Sequence, residues 1–172
     1  MSILHTASVG TFLQILPAVS GLATKAEDLC GTQELPEATL LDARLAEDMW
    51  PLAKQIALCA THSAGAIEAI GVGLFSPDLT PPPTSFAALR ALLAEAQTKL
   101  EATDPEQLAV IAERDMRFEF GTRRMDFTVR DFLLSFALPN FYFHATTAYA
   151  ILRNQGLPLG KVDFIGRPRL KG

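Results

Sequence analysis

His144 is the residue of this chain best suited to chemistry. It closes the segment Phe136-Ala-Leu-Pro-Asn-Phe-Tyr-Phe-His144, inside a run from Phe132 to Leu152 that contains no charged residue. An imidazole can pass a proton near neutral pH or ligate a metal. Asn140 and Thr147 share its face at helical spacing. A mostly apolar helix with one polar row aims that row at a core, a partner subunit or a pocket. Upstream, Asp48, Leu52, Gln55, Cys59 and His62 recur at steps of three and four, again along one helix face. Gln55 facing His144 is the best candidate pair. Cys59 could be a nucleophile or a soft ligand if its thiolate were stabilised. Trp50 and Tyr142 are amphipathic side chains able to wall a pocket or a subunit contact. The candidate ligand-binding set is thus Gln55, Asn140, His144, Cys59, Trp50 and Tyr142, and no catalytic residue is assigned.

Each of these has a plainer alternative. A buried His144 is satisfied by one or two hydrogen bonds. Asn140 follows Pro139, whose ring displaces a carbonyl one turn back, so its amide can repair the kink. Thr147 can bond back to its own helix. Cys59 packs as a small hydrophobe. Asp48 reads as a helix N-cap. His62 is expected on the surface or at an interface near the other end of the helix, and His5 is expected to be exposed. Trp50 and Tyr142 can simply fill core. Arg123 and Arg124 read as a solvated turn.

Several chemistries lack their signatures. The sequence holds no G-x-S-x-G elbow, phosphate loop, C-x-x-C or H-E-x-x-H. Gly71-x-Gly73 is not a dinucleotide fingerprint, because the third glycine is missing. The carboxylates Glu68, Asp115 and Asp131 are scattered, without the paired Glu-x-x-His ligands of a di-iron bundle. A net charge of −4 argues against a nucleic-acid partner, which would require a basic footprint. Two cysteines in 172 residues make no disulfide framework and fit a reducing, cytoplasmic setting. The first Lys is Lys25, so no basic leader opens a secretion signal. Phe132 to Leu152 is the one candidate membrane span, and its Pro, Asn, His and Thr residues favour a buried helix instead.

Four long helices must position these residues. The first spans about Ser2 to Leu29, with Val9, Phe12, Leu13, Leu16, Val19 and Ala23 on one face and a bend at Pro17. A short helix follows near Pro36 to Leu41. The second long helix starts at Asp48, holds Pro51 in its first turn and ends before Gly71 and Gly73. Pro81-Pro82-Pro83 is a stiff connector, and Thr84 or Ser85 caps a third helix to about Ala102. Its buried stripe is Phe86, Leu89, Leu92, Leu93, Ala96 and Leu100. Asp104-Pro105 caps a short helix. Met116 to Phe120 and Met125 to Phe127 alternate apolar and polar residues, a hairpin turning at Gly121 to Arg124. Thr128 caps the fourth helix, which kinks at Pro139 and ends at Asn154-Gln155-Gly156. Residues 157–172 form an extended tail lying against this subunit or a neighbour. The expected architecture is an all-α four-helix bundle in a single domain, with a small β-hairpin inserted before the last long helix.

Two motifs carry a family resemblance. Asp48-Met-Trp-Pro-Leu-Ala-Lys-Gln55 together with Phe136-Ala-Leu-Pro-Asn-Phe-Tyr-Phe-His144 resembles a domain-of-unknown-function family within the DinB/YfiT-like four-helix-bundle superfamily. That superfamily is regarded as one of metalloenzymes. Its metal centres imply one His on helix two and an H-x-x-x-H pair on helix four. In this sequence those positions fall on Gln55, Asn140 and His144, so one imidazole of three is present. Amide oxygens are weak ligands for zinc or nickel. No cofactor is therefore expected; if a divalent metal binds, His144 with Gln55 and Asn140 would hold it. Two functions follow. One is a homodimeric protein, small-ligand-binding or vestigial, without metal. The other is a metal-dependent hydrolase or thiol transferase working from a degenerate site.

Overall fold

A computed structural model describes residues 2–77 and 79–171. The N-terminal helix divides at Ser8 into α1 (Ile3–Ala7) and α2 (Val9–Thr32). The buried Ser8 hydroxyl donates to the Leu4 carbonyl at 2.7 Å, which competes with the ladder where the helix breaks. Along α2 the residues Val9, Phe12, Leu16, Val19, Ala23 and Ala26 face inward, and Pro17 sits within the helix. Among the described residues Ile3–Thr32, and not Phe132 to Leu152, is long and apolar enough to cross a membrane by length and composition, and half of its most apolar part is buried inside the protein. A short α3 (Ala38–Leu41) follows.

The second long stretch begins later than its sequence suggests. Asp48 lies exposed in a turn, and Pro51 occupies the cap position of α4 (Leu52–Ala60). The Leu52 amide donates to the Ala43 carbonyl at 2.9 Å, so the incoming loop supplies the partner a side-chain cap would have given. Thr61–Gly65 then widens into a π-helical turn before α5 (Ala66–Val72). Gly71 stays helical; Gly73, at φ 84°, makes the left-handed stop. The small residues Ala57, Ala60, Ala64 and Gly65 line a shallow seam with Ala96 of α6 (Phe86–Glu101). The Ser85 hydroxyl caps α6 by accepting from the Ala88 amide, and Phe86, Leu89, Leu93, Ala96 and Leu100 are buried, while Leu92 is half-buried. Asp104 caps α7 (Pro105–Val110) with Pro at its start.

The chain is not purely helical. β2 (Asp115–Phe120) and β3 (Arg123–Thr128) pair as the expected hairpin, with Phe118 opposite Met125 and a turn of Gly121 and Thr122 only. A short strand absent from the sequence reading, β1 (Leu74–Phe75), adds parallel to β2, so the sheet has order β1-β2-β3. Two residues are too few to show an alternating pattern, which is why β1 was invisible. Met116, Phe118 and Phe75 point into the core from this sheet.

The fourth stretch is α8 (Val129–Asp131), a second π-helical turn Phe132–Ala137, and α9 (Leu138–Asn154). Thr128 caps it, accepting from the Asp131 amide at 3.0 Å. The wide turn ends just ahead of Pro139, whose missing N–H and bulky ring fit the start of a helix better than its middle. α2 packs against α6 and α9, and α4 against the same two helices. The last residues are not an extended tail: Lys161–Ile165 form α10, docked on α2. Lys25 pairs with Asp163 at 2.6 Å, Gln14 donates to the Ile165 carbonyl at 3.1 Å, and Arg169 donates to the Thr6 carbonyl at 2.8 Å.

Candidate functional site

Gln55 and His144 meet across α4 and α9. Nδ1 of His144 lies 2.7 Å from Oε1 of Gln55, and both side chains are buried. The tautomer follows from the far end of the amide. Gln55 Nε2 donates to the Trp50 carbonyl at 3.1 Å, and a carbonyl can only accept. The amide oxygen therefore faces the ring, Nδ1 carries the proton, and Nε2 holds the lone pair. Burial and the nearby Lys54 ammonium lower the His144 pKa to about 4, so the ring is neutral at physiological pH. Lys54 is itself buried and donates to the Thr80 carbonyl at 2.7 Å.

His62 is the residue the sequence reading misplaced. It is not on the surface: 8% exposed, it stacks on His144 with ring centroids 5.2 Å apart and an interplanar angle of 20°. His62 shares the face of Gln55 and Cys59, as its spacing implies, and the rings of Phe75 and Phe136 close over that face where the end of the helix would otherwise meet solvent. Burial, then the His144 imidazole, lower its pKa to about 3. Its Nδ1 is buried without a hydrogen-bond partner. Two neutral rings thus lie face to face, one anchored by an amide and one with an unmet nitrogen.

Beside this pair opens a cleft of about 610 Å³ between the hairpin and the two π-helical turns. His62 and Leu58 form one wall, Phe136 and Asn140 another; Phe75 and Phe118 form the floor, and Arg123 and Arg124 stand at the rim. Of the six candidates from the sequence, only Asn140 lines this cleft. Its Nδ2 donates to the Phe136 carbonyl at 2.7 Å, the repair role beside Pro139. Gln55 and His144 stand behind His62. Cys59 is fully buried and its thiol donates to the Gln55 carbonyl at 3.4 Å; burial pushes that thiol far above the ordinary range, against a nucleophilic or ligating thiolate. Trp50 contributes its carbonyl and is 56% exposed as a residue, Tyr142 is exposed too, and neither walls the cleft. Thr147 donates back to the Phe143 carbonyl. Phe136 and Phe118 escaped sequence reading because aromatic residues at these spacings look like ordinary core.

The donors do not suit a metal. The Gln55 oxygen accepts from His144 Nδ1–H and Asn140 Nδ2 is held by its own helix, which leaves the His144 Nε2 lone pair as the one imidazole donor at these three positions. Among the described residues no three His, Cys, Asp or Glu side chains gather into a ligand set.

Comparison with known proteins places the fold. A DinB family member protein from Shewanella denitrificans, known from its crystal structure, superposes with a TM-score of 0.82 at 26% identity, over 99% of this chain and 96% of that one. The likeness gives a DinB-like fold of unknown function. No curated protein matches the chain significantly. A domain of unknown function, DUF1993, matches residues 4–165. With nearly the whole sequence inside that match, the chain belongs to the DUF1993 family.

Proposed function

We propose that this protein is a DinB-like four-helix bundle that binds a small molecule without the help of a metal or another cofactor, and that it does so as a cytoplasmic homodimer. One observation carries the reading. The side chains at the positions where the superfamily would place metal ligands are bonded to each other or to backbone, while an open cleft beside them is lined by aromatic rings and by His62. Clefts of several hundred cubic ångströms with few polar groups are the usual form of small-molecule sites.

The dimer is supported by the outer face of α9. Pro139, Tyr142, Phe143 and Thr146 are exposed there in a stretch with no charge, and such a face suits a symmetric contact with a second copy. The buried free thiols of Cys30 and Cys59 support a reducing compartment.

The test combines metal analysis of tag-free protein with thermal melting. Substoichiometric metal, unchanged melting with zinc, nickel or manganese, and a rise in Tm with members of a small-molecule library are the expected results. Stoichiometric metal whose stabilising effect disappears in His144→Ala would overturn the reading. Sedimentation tests assembly: Phe143→Asp should convert a dimer to a monomer, and a monomeric parent protein would remove the dimer from the proposal.

A further inference from the structure

The cleft is chemically lopsided. Its floor and inner wall are aromatic, with Phe118 and Phe136 ring centroids 4.9 Å apart and Phe75 and Phe136 6.1 Å apart in an edge-to-face arrangement. Its rim is cationic, and no Asp or Glu stands among its described lining residues. The two rim arginines are not equivalent. Arg124 is neutralised by Asp126, Nη2 to Oδ1 at 2.9 Å, whereas Arg123 makes no ion pair among the described residues. Deeper in, His62 lines the wall at 8% exposure, its own Nδ1 turned out of solvent. One uncompensated positive charge at the mouth, an aromatic floor, and one imidazole on the wall specify a ligand more narrowly than volume does.

Resting on the ligand-binding reading above, we propose that the ligand is a planar aromatic monocarboxylate. Its ring lies on Phe75, Phe118 and Phe136, where offset and edge-to-face contacts favour a flat π-system over an alkyl chain. Its carboxylate pairs with the Arg123 guanidinium, whose planar fork matches two carboxylate oxygens. A polar substituent on the ring faces His62. A single free guanidinium balances one negative charge, which favours a monocarboxylate over a phosphate ester. The cleft volume, about 610 Å³, accommodates two fused rings.

The experiment is calorimetric titration of the full chain with three probes: 6-hydroxy-2-naphthoate, the matching neutral amide, and decanoate. Arg123 is exposed at the start of β3, so Arg123→Gln leaves the core intact. The expected result is one bound naphthoate per chain, weakened about tenfold in Arg123→Gln, with the amide about tenfold weaker than the acid and indifferent to the substitution. Equal binding of acid and amide, unchanged by Arg123→Gln, would overturn the anion while leaving the cleft a small-molecule site. Decanoate binding more tightly than the naphthoate would overturn the aromatic class. If none of the three binds, the carboxylate proposal fails, and the library melting experiment decides separately whether the cleft takes any ligand.

Discussion

Mild acid should weaken this fold through its two stacked histidines. In an unfolded chain each imidazole titrates at its ordinary value of 6.5; in the folded chain the values are about 4 for His144 and about 3 for His62. The unfolded state therefore binds more protons throughout the interval between those values. A depressed imidazole contributes its full stability above the unfolded pKa, and loses it as pH falls toward the folded one. At pH 5 an unfolded imidazole is almost wholly protonated and a folded one only about a tenth or less, so each ring forfeits about 2 kcal/mol relative to pH 7 and the pair about 3–4 kcal/mol. The assay is urea unfolding at pH 7, 6 and 5. The slope of stability against pH should approach about two protons per molecule between pH 6 and 5. His62→Phe, placed among Phe75 and Phe136, should halve that slope. A stability that stays flat from pH 7 to 5 would show that the rings are not held neutral by burial, and the described site would be wrong.

Gln55→Leu strands the Nδ1–H of His144 and should cost about 1–3 kcal/mol in urea unfolding. Gln55→Glu sets a carboxylate against the same proton and should raise the His144 pKa markedly in an NMR titration; an unmoved resonance would count against the contact. Cys59 should resist iodoacetamide in the folded protein and react only after denaturation, as mass spectrometry can show. Gly166→Ala should release α10 and speed limited proteolysis of the C-terminus, because φ there is 66° and an added Cβ would lie 3.0 Å from the Gln14 carbonyl oxygen.

Much of the fold was legible in the sequence because it was written in period and punctuation. The Val9 to Ala23 face, the Ser85 and Thr128 caps, Asp104-Pro105, and the alternation of Met116 to Phe120 each encode a local preference that packing then reinforces. The Gln55–His144 contact was also foreseeable, since each lies on the inward polar row of its helix. What escaped reading was whatever depends on non-local geometry. Asp48 looks like a cap, but a loop carbonyl takes over that task. β1 exists only because β2 is there to pair with it. The C-terminal residues look like tail until α2 offers a surface for α10. His62 lies on the same inward face as Gln55 and Cys59, and its burial depends on Phe75 and Phe136 arriving from distant parts of the chain to cover it.

Those two wide turns also affect how relatives should be compared. A single extra residue in a helix rotates all later positions by about 100°, so a kinsman lacking it would present a different side chain at the same chain spacing. Here Thr61–Gly65 and Phe132–Ala137 deliver His62 and Phe136 to the cleft. A residue gained or lost in either window would therefore re-aim the cleft wall together with every later position of that helix.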